Sequence, residues 1–124
     1  MSAQEETGFT LTIEFSITKY NKGNILLALY DSNENYMKNA VRSSKVEVKD
    51  KKAVIRFDNL EKGVYGFSFF HDVDNSGKLN KNFMGIPKEP YGFSNNEKGK
   101  FGPPDFDKVQ FNLQGNLKLQ VSIK

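Results

Sequence analysis

The residues of this chain that are best suited to chemistry lie together in the stretch "HDVDNSGKLN", from His71 to Asn80. Oxygen ligands recur there at alternate positions, and a glycine lets the backbone turn sharply around an ion. The ligands are Asp72, Asp74, Ser76, the backbone carbonyl of Lys78, and Asn80. Calcium is a hard cation that prefers oxygens converging from a curled backbone. The spacing therefore predicts a weak calcium site that resembles the first part of an EF-hand loop.

The end of this stretch departs from the EF-hand pattern. An EF-hand loop closes on a bidentate glutamate, whereas this chain has Phe83 at the matching position. The missing ligand has to come from elsewhere, and the available carboxylates are Asp31, Glu89, Asp105 and Asp107. Because Asp, Asn, Ser and Gly are also the commonest turn residues, a metal-free turn is the alternative to a calcium site.

The histidine that opens the stretch is the only one in the chain. An imidazole titrates near neutrality, so His71 would be the general base of an acid–base catalyst, with Asp72 or Glu89 beside it. Neighbouring residues of a strand point to opposite faces, however, and no serine lies in a GxSxG context. We therefore expect a structural histidine in a protein that is not an enzyme. The alternative is a small hydrolase or isomerase that uses His71.

Aromatic residues and prolines dominate the next segment, "NFMGIPKEPYGFSNN". Tyr and Phe rings beside Asn and Asp side chains are suited to an unknown small ligand, a glycan or a peptide. The predicted ligand or partner surface comprises His71, Phe83, Tyr91, Phe93 and Asn95. The alternative is that these rings cap the open end of the domain.

The bulk composition limits the classes of partner. The chain has 124 residues, with 18 basic against 15 acidic, and the lysines are spread rather than clustered. Nucleic-acid binding needs a concentrated basic patch, so we expect none. No stretch approaches the ~20 consecutive apolar residues that span a bilayer. There is no cysteine for a disulfide or a thiolate zinc site.

Strict alternation of apolar and polar residues indicates β-strands at both ends of the chain. "GFTLTIEFSITK" near the start and "LKLQVSIK" at the end each place one apolar face against a core. Further strands are predicted at 24–30, 45–48, 53–57, 63–70 and 109–113, with a hairpin turn around 50–52. The pattern predicts an all-β protein, a seven-stranded antiparallel β-sandwich.

One segment does not fit this pattern. Residues 71–108 contain no clear strand, and irregular segments longer than ~15 residues are usually functional or disordered. The many aromatic residues of the segment argue against disorder. We therefore predict one long irregular loop over 71–108, which forms the functional surface at one end of the sandwich.

Several motifs, in order along the chain, are similar to one family. They are "GNILLALYD", "VIRFDNLEKGVYGFSFFHD", "NSGKLN", "GIPKEPYGFSNN" and "PPDFDKVQF". Together they resemble the bacterial domain of unknown function 2141 family over nearly the whole chain. The resemblance implies a small exported bacterial protein without an established activity. An Asp is common in that family where this chain has Asn80, which implies a low calcium affinity, with Kd on the order of 0.1 to 1 mM.

A second resemblance concerns the fold alone. Leu60, Gly63 and Tyr65 match the LxxGxY strand entry of prealbumin-like and carboxypeptidase regulatory-like sandwiches. This implies a transthyretin-like fold. A single histidine does not reproduce the several-histidine site of transthyretin-like hydrolases, so the fold brings no activity with it.

The start of the chain, "MSAQEETG", resembles the residues that bracket a signal-peptide cleavage site. We expect residues 1–7 to be a disordered remnant left after removal of an export signal, and residues 8–124 to form a single β-sandwich domain. The expected location is periplasmic or secreted. The predicted function is an exported, non-enzymatic module with a weak calcium loop at 72–80 and a ligand surface on 71–108. A purely structural cell-envelope component is a further alternative.

Overall fold

The computed structural model describes residues 8–74, 89–97 and 102–123. Over these residues the chain forms strands, a 3₁₀ turn at Ser94–Asn96 and a short helix, α1, at Phe106–Val109. The strands are β1 Phe9–Ile17, β2 Asn24–Tyr30, β3 Arg42–Glu47, β4 Lys52–Leu60, β5 Gly63–Asp72, β6 Tyr91–Phe93, β7 Phe111–Leu113 and β8 Leu117–Ile123. In this described part, no helix is long and apolar enough to cross a membrane.

The first sheet has the strand order β4-β1-β8. β1 alternates as its sequence predicts, because Leu11, Ile13 and Phe15 are buried and the residues between them are more exposed. β4 pairs with β1 in the antiparallel direction and β8 pairs with it in the parallel direction. The apolar residues of all three strands therefore lie on one face.

The second sheet has the order β3-β2-β5-β6, and β7 pairs with the first residues of β5. All of its pairings are antiparallel. The two sheets face each other across a shared apolar core. At its centre the rings of Phe15 and Phe69, one from each sheet, meet edge to face with centroids 5.0 Å apart.

The predicted all-β fold with two sheets is confirmed, while two of its details are corrected. The described residues contain eight strands instead of seven, because β6 spans only three residues after Pro90 and its pattern is too short to detect. The sandwich is not wholly antiparallel, since β1 and β8 run parallel with Ile13 opposite Leu119. Alternation in a sequence indicates which face is buried, but not the direction of the neighbouring strand.

The expected hairpin around Asp50 is a corner between the two sheets. Asp50 and Lys51 have φ angles of 54° and 60°, as a two-residue type I′ turn requires. The N–H groups of Lys49 and Lys52 each donate to the other's carbonyl, at 3.0 and 2.9 Å. Beyond this bridge the chain diverges, because β3 pairs with β2 and β4 pairs with β1.

The segment predicted as one irregular loop, 71–108, contains β6, the 3₁₀ turn and α1 among its described residues. Ser94 joins these elements to β5. Its Oγ accepts a hydrogen bond from the N–H of Phe67 at 3.0 Å and donates one to the carbonyl of Val109. A second apolar cluster, on the outer face of the five-stranded sheet, comprises Tyr30, Phe93, Phe106 and Val109. These contacts hold β6 against the end of β5.

Candidate functional site

Three acidic side chains converge where β5 ends and the chain returns to β6. Asp72 is the last residue of β5, Asp74 lies in the turn that follows, and Glu89 precedes Pro90 and β6. One carboxylate oxygen of each lies within 4.8 Å of the others. Asp72 and Glu89 are buried, with 1% and 9% of their surface exposed, whereas Asp74 is exposed. The arrangement offers a metal ion three oxygen ligands.

Backbone hydrogen bonds fix the position of Glu89. The N–H of His71 donates to the carbonyl of Pro90 at 2.8 Å, which extends the pairing of β5 and β6 by one residue. Just after the end of β5, the N–H of Val73 donates to the Glu89 carboxylate at 2.9 Å. The carboxylate is therefore held beside the turn that carries Asp74.

The turn between β1 and β2 packs against the other side of Asp72. Gly23 has a φ of +80°, a conformation that side chains other than glycine rarely adopt. A Cβ atom there would collide with the carbonyl oxygen of Asp72 and would lie 2.9 Å from the Cα of Val73. The sequence has a glycine at this position because both the conformation and the space require one.

Negative charges on carboxylates this close together would repel one another. At an effective dielectric constant of about 20, two unit charges separated by roughly 5 Å repel by on the order of 3 kcal/mol. A divalent cation bound between them would be attracted to all three carboxylates. The cluster is therefore suited electrostatically to a hard divalent ion.

The structure brings together only part of the predicted metal series. Asp72 and Asp74 lie close together. Of the four carboxylates considered for the missing ligand, Glu89 joins them. The other three, Asp31, Asp105 and Asp107, are not in the cluster. Ser76, Lys78 and Asn80 lie outside the described residues, as does Phe83 of the predicted ligand surface.

His71 lies in the core and not on the predicted ligand surface. It pairs with Ile25 on the inner face of β5 and is fully buried. Its Nε2 contacts the carbonyl of Lys22 at 2.6 Å, so Nε2 carries the proton because a carbonyl can only accept. Nδ1 is buried and has no hydrogen-bond partner in the described structure. The alternation of β5 turns His71 inward and Asp72 outward.

The remaining residues of the predicted ligand surface have different environments. Phe93 is buried in the second apolar cluster, because α1 covers the outer face of β6. Asn95 is exposed, but its Nδ2 donates to the carbonyls of Lys108 and Gln110 at 3.1 and 2.9 Å. Tyr91 is half-buried and lines a cleft. Of these three residues, only Tyr91 has the exposure and position of a ligand-binding side chain.

This cleft has a volume of about 770 Å³. Its described walls come from β5, from β6 with the residues on either side of it, from β8, and from the segment after β1: Lys19, Tyr20, Phe69, Glu89, Pro90, Tyr91, Gly92, Phe93, Asn96, Glu97, Gln120, Val121, Ser122 and Ile123. A smaller groove of about 530 Å³ lies beside Leu26, Phe70 and Tyr91. The sequence does not reveal the contribution of β8, because the packing of the two sheets, and not residue type, places this strand near β6.

Comparison with known proteins identifies one family. The model of a family described as "Uncharacterized protein conserved in bacteria (DUF2141)" matches residues 13–120. The match covers all of β2 to β7, with parts of β1 and β8, and includes the three carboxylates. No curated protein and no solved structure gives a significant match to the chain.

Proposed function

The chain belongs to the DUF2141 family, as its motifs predict, and on that premise we propose that it is an exported, non-enzymatic module that binds calcium weakly through Asp72, Asp74 and Glu89. The observation that carries the proposal is the convergence of these three carboxylates within 4.8 Å. The alternate spacing continues to Ser76, Lys78 and Asn80, which stay predicted ligands on sequence grounds.

The donor set favours calcium over other common ions. All three side chains offer oxygen, whereas structural zinc prefers sulfur and nitrogen ligands. The chain has no cysteine, and its one histidine bonds Lys22 on the inner side of the sheet. Magnesium demands near-ideal octahedral geometry and usually keeps several waters. A cluster of carboxylates contributed by two separate segments suits the more adaptable coordination of calcium.

A low affinity is consistent with an exported protein. Calcium sites of extracellular modules have Kd values of about 0.1 to 1 mM. One of the three carboxylates is exposed, so part of the site competes with water for the ion. We propose a periplasmic or secreted location because the family resemblance implies an exported protein, and cell fractionation with an antibody against the protein tests it.

The environment of His71 supports a role other than catalysis. Its ring is fully buried, and its Nε2 proton is engaged by the Lys22 carbonyl. A general base must reach the proton that it abstracts, directly or through one water. An inward-facing ring provides no such access, which supports the proposal of a binding module over a hydrolase or isomerase that uses His71.

For the fold, we propose the transthyretin-like arrangement. The support is the pair of facing sheets together with the motif at the start of β5. There the hydroxyl of Tyr65 donates to the carbonyl of Glu61 at 2.7 Å, which resembles the tyrosine corner of β-sandwich domains. Comparison of an experimental structure with transthyretin-like domains tests this assignment.

Calcium-dependent thermal stability tests the proposed function. For a Kd of about 0.1 to 1 mM, adding about 5 mM calcium to chelator-treated protein stabilises the native state by about 1 to 2 kcal/mol. We expect a melting temperature several degrees higher. We expect Asp72→Asn and Asp74→Asn each to reduce this shift, because each removes a ligand charge.

The matched control for these variants is Asp107→Asn, which removes an exposed carboxylate from α1, outside the cluster. It should keep the full calcium shift. Equal shifts in all three variants would show that calcium acts on the general charge of the protein and would refute the site.

A further inference from the structure

The walls of the large cleft carry more negative than positive charge, although the chain as a whole is basic. The described walls include two carboxylates, Glu89 and Glu97, and one ammonium, Lys19. The formal net charge of the whole chain, by contrast, is +3. The charge of a cleft acts on a ligand more strongly than the net charge of the protein, because the ligand lies close to it. The cleft therefore favours a cation over an anion.

The one ammonium of the cleft wall is engaged with an aromatic ring of the same wall. Lys19 is exposed, and its Nζ lies 5.2 Å from the centroid of the Tyr20 ring. This distance is within the range of a cation–π contact. Tyr20 also lines the cleft, so the contact shows that an ammonium can lie against its aromatic wall.

Glu97 is the carboxylate of the cleft best suited to a ligand. It is half-buried in the wall. Within the part of the chain that the structure describes, its carboxylate has no ion pair or hydrogen bond. The carboxylate of Glu89, in contrast, accepts the N–H of Val73. A half-buried charge has lost part of its hydration, and a cation paired with it offsets this cost.

The turn that presents Glu97 has an unusual backbone conformation. Asn95 and Asn96 have φ angles of 63° and 59°, in the left-handed region that asparagine tolerates better than most residues. The bonds of Ser94 and of the Asn95 side chain hold the turn against α1 and the segments around it. Such conformations persist where the surrounding structure holds them, and they are commonest at functional sites. The position of Glu97 in the wall is therefore fixed.

The floor of the cleft is apolar. Val121 and Ile123 lie on the inner face of β8 and pack against the core. The ring of Phe69 lies beside Gly92, where a Cβ atom would be 2.7 Å from the ring. An apolar ligand body over this floor would be removed from water.

We propose that the cleft binds a small organic cation, namely a primary amine with an apolar body. Its ammonium pairs with Glu97, and its body covers the apolar floor. A hydrogen bond between an ammonium and a carboxylate is among the stronger kinds, because both groups are charged. The volume of about 770 Å³ is within the range of small-molecule sites. The proposal does not require calcium.

Three probes with the same six-carbon chain separate the effect of charge from that of apolar burial. They are n-hexylamine, which is protonated at neutral pH, hexan-1-ol and hexanoate. Each is titrated into the full chain, labelled with ¹⁵N, and followed at the backbone amides of Gly92, Glu97 and Val121. A chelator keeps metal ions away from Glu89, so the result does not depend on the calcium proposal. Hexylamine should bind about tenfold more tightly than hexanol, and hexanoate should bind more weakly than hexanol.

Glu97→Gln tests the carboxylate directly. The variant keeps the size of the side chain and removes its charge. Its affinity for hexylamine should fall about tenfold, to that of hexanol, whereas its affinity for hexanol should stay the same. Glu34→Gln is the matched control, because Glu34 is exposed and lies outside the described walls of the cleft. It should bind both probes as the wild-type protein does.

The comparison of the three probes uses the wild-type protein, so it decides the question even if Glu97→Gln does not fold. Equal affinities for hexylamine and hexanol would overturn the proposal, because the cleft would then select only apolar bodies. Tighter binding of hexanoate would show that Lys19 dominates the cleft. The proposal also fails if hexylamine binds Glu97→Gln as well as the wild type, or binds Glu34→Gln equally weakly. Cleft amides that stay unmoved up to about 10 mM hexylamine would exclude the site.

Discussion

The carboxylate of Glu89 accepts a hydrogen bond from the backbone N–H of Val73 at 2.9 Å, across 16 positions of sequence. Val73 lies between Asp72 and Asp74. The bond therefore brings a third carboxylate to the pair and joins the segment entering β6 to the turn that leaves β5. This contact therefore contributes both to the local fold and to the composition of the candidate metal site.

Replacing Glu89 with glutamine should weaken calcium binding without unfolding the protein. The glutamine carbonyl can still accept the hydrogen bond from Val73, but the negative charge is lost. Because calcium affinity depends on the charge of the ligands, we expect Kd to rise by about tenfold. Glu97→Gln is the control, since Glu97 lines the neighbouring cleft and lies outside the carboxylate group. Equal affinities of the two variants, measured by calcium titration, would exclude Glu89 as a ligand.

Gly23→Ala should destabilise the protein and disturb the candidate site together. The alanine would have an unfavourable positive φ, and its Cβ would collide with the carbonyl of Asp72. A strained residue of this kind costs about 1 to 3 kcal/mol, measurable by urea denaturation. Gly115→Ala should be much milder, because a Cβ there meets no atom within 4 Å. Similar losses at the two positions would contradict the close packing of Gly23 against β5.

Ser94→Ala should destabilise the protein more than the small size of the serine side chain suggests. Its hydroxyl links the N–H of Phe67 to the carbonyl of Val109 in a buried environment. Two buried backbone groups lose their partner in the variant, so the free energy of unfolding should fall by about 2 to 4 kcal/mol. Ser122→Ala, at an exposed position, should change it by less than about 0.5 kcal/mol. A neutral Ser94→Ala would show that water replaces the hydroxyl.

Tyr36 should make stability fall in alkaline solution. Burial, with smaller contributions from Tyr30 and Asp105, raises the pKa of Tyr36 from 10.0 to about 12. The native state then holds the proton more tightly than the unfolded state, so this stabilisation is complete below pH 10 and is lost as the pH rises to about 12. Tyr36→Phe should show a shallower decline over this range, measured by urea denaturation at successive pH values. If stability declines equally steeply with pH in Tyr36→Phe, the raised pKa of Tyr36 is contradicted.

The sequence pattern was sufficient to predict most of the sandwich. The alternation in β1 and β8 indicated their inner faces correctly, because each strand is long and has one buried face. It did not indicate that these strands run parallel, since residue type carries no information about the direction of a partner. β6 was missed for a different reason: it has only three residues, and they are held in place by pairing with β5, by the bonds of Ser94 to Phe67 and Val109, and by packing against α1, all of which involve residues distant in sequence.

The candidate site was predictable in part for the same reasons. Asp72 and Asp74 are neighbours in sequence, so their spacing was visible. Glu89 was one of several available acids, and only the pairing of β6 with β5 brings it to them. Alternation predicted that His71 and Asp72 point to opposite faces, but His71 was assigned to the ligand surface, and its bond to Lys22 depends on where the turn between β1 and β2 packs.

The central claim is most directly tested by a calcium titration of ¹⁵N-labelled, chelator-treated protein, followed at the backbone amide of Val73. This amide donates to one carboxylate of the proposed site and lies between the other two. The account predicts a saturable shift of its resonance with Kd of about 0.1 to 1 mM, lost in Asp72→Asn and kept in Asp107→Asn. A Val73 resonance that stays unmoved up to about 10 mM calcium, in protein that is still folded, would contradict it.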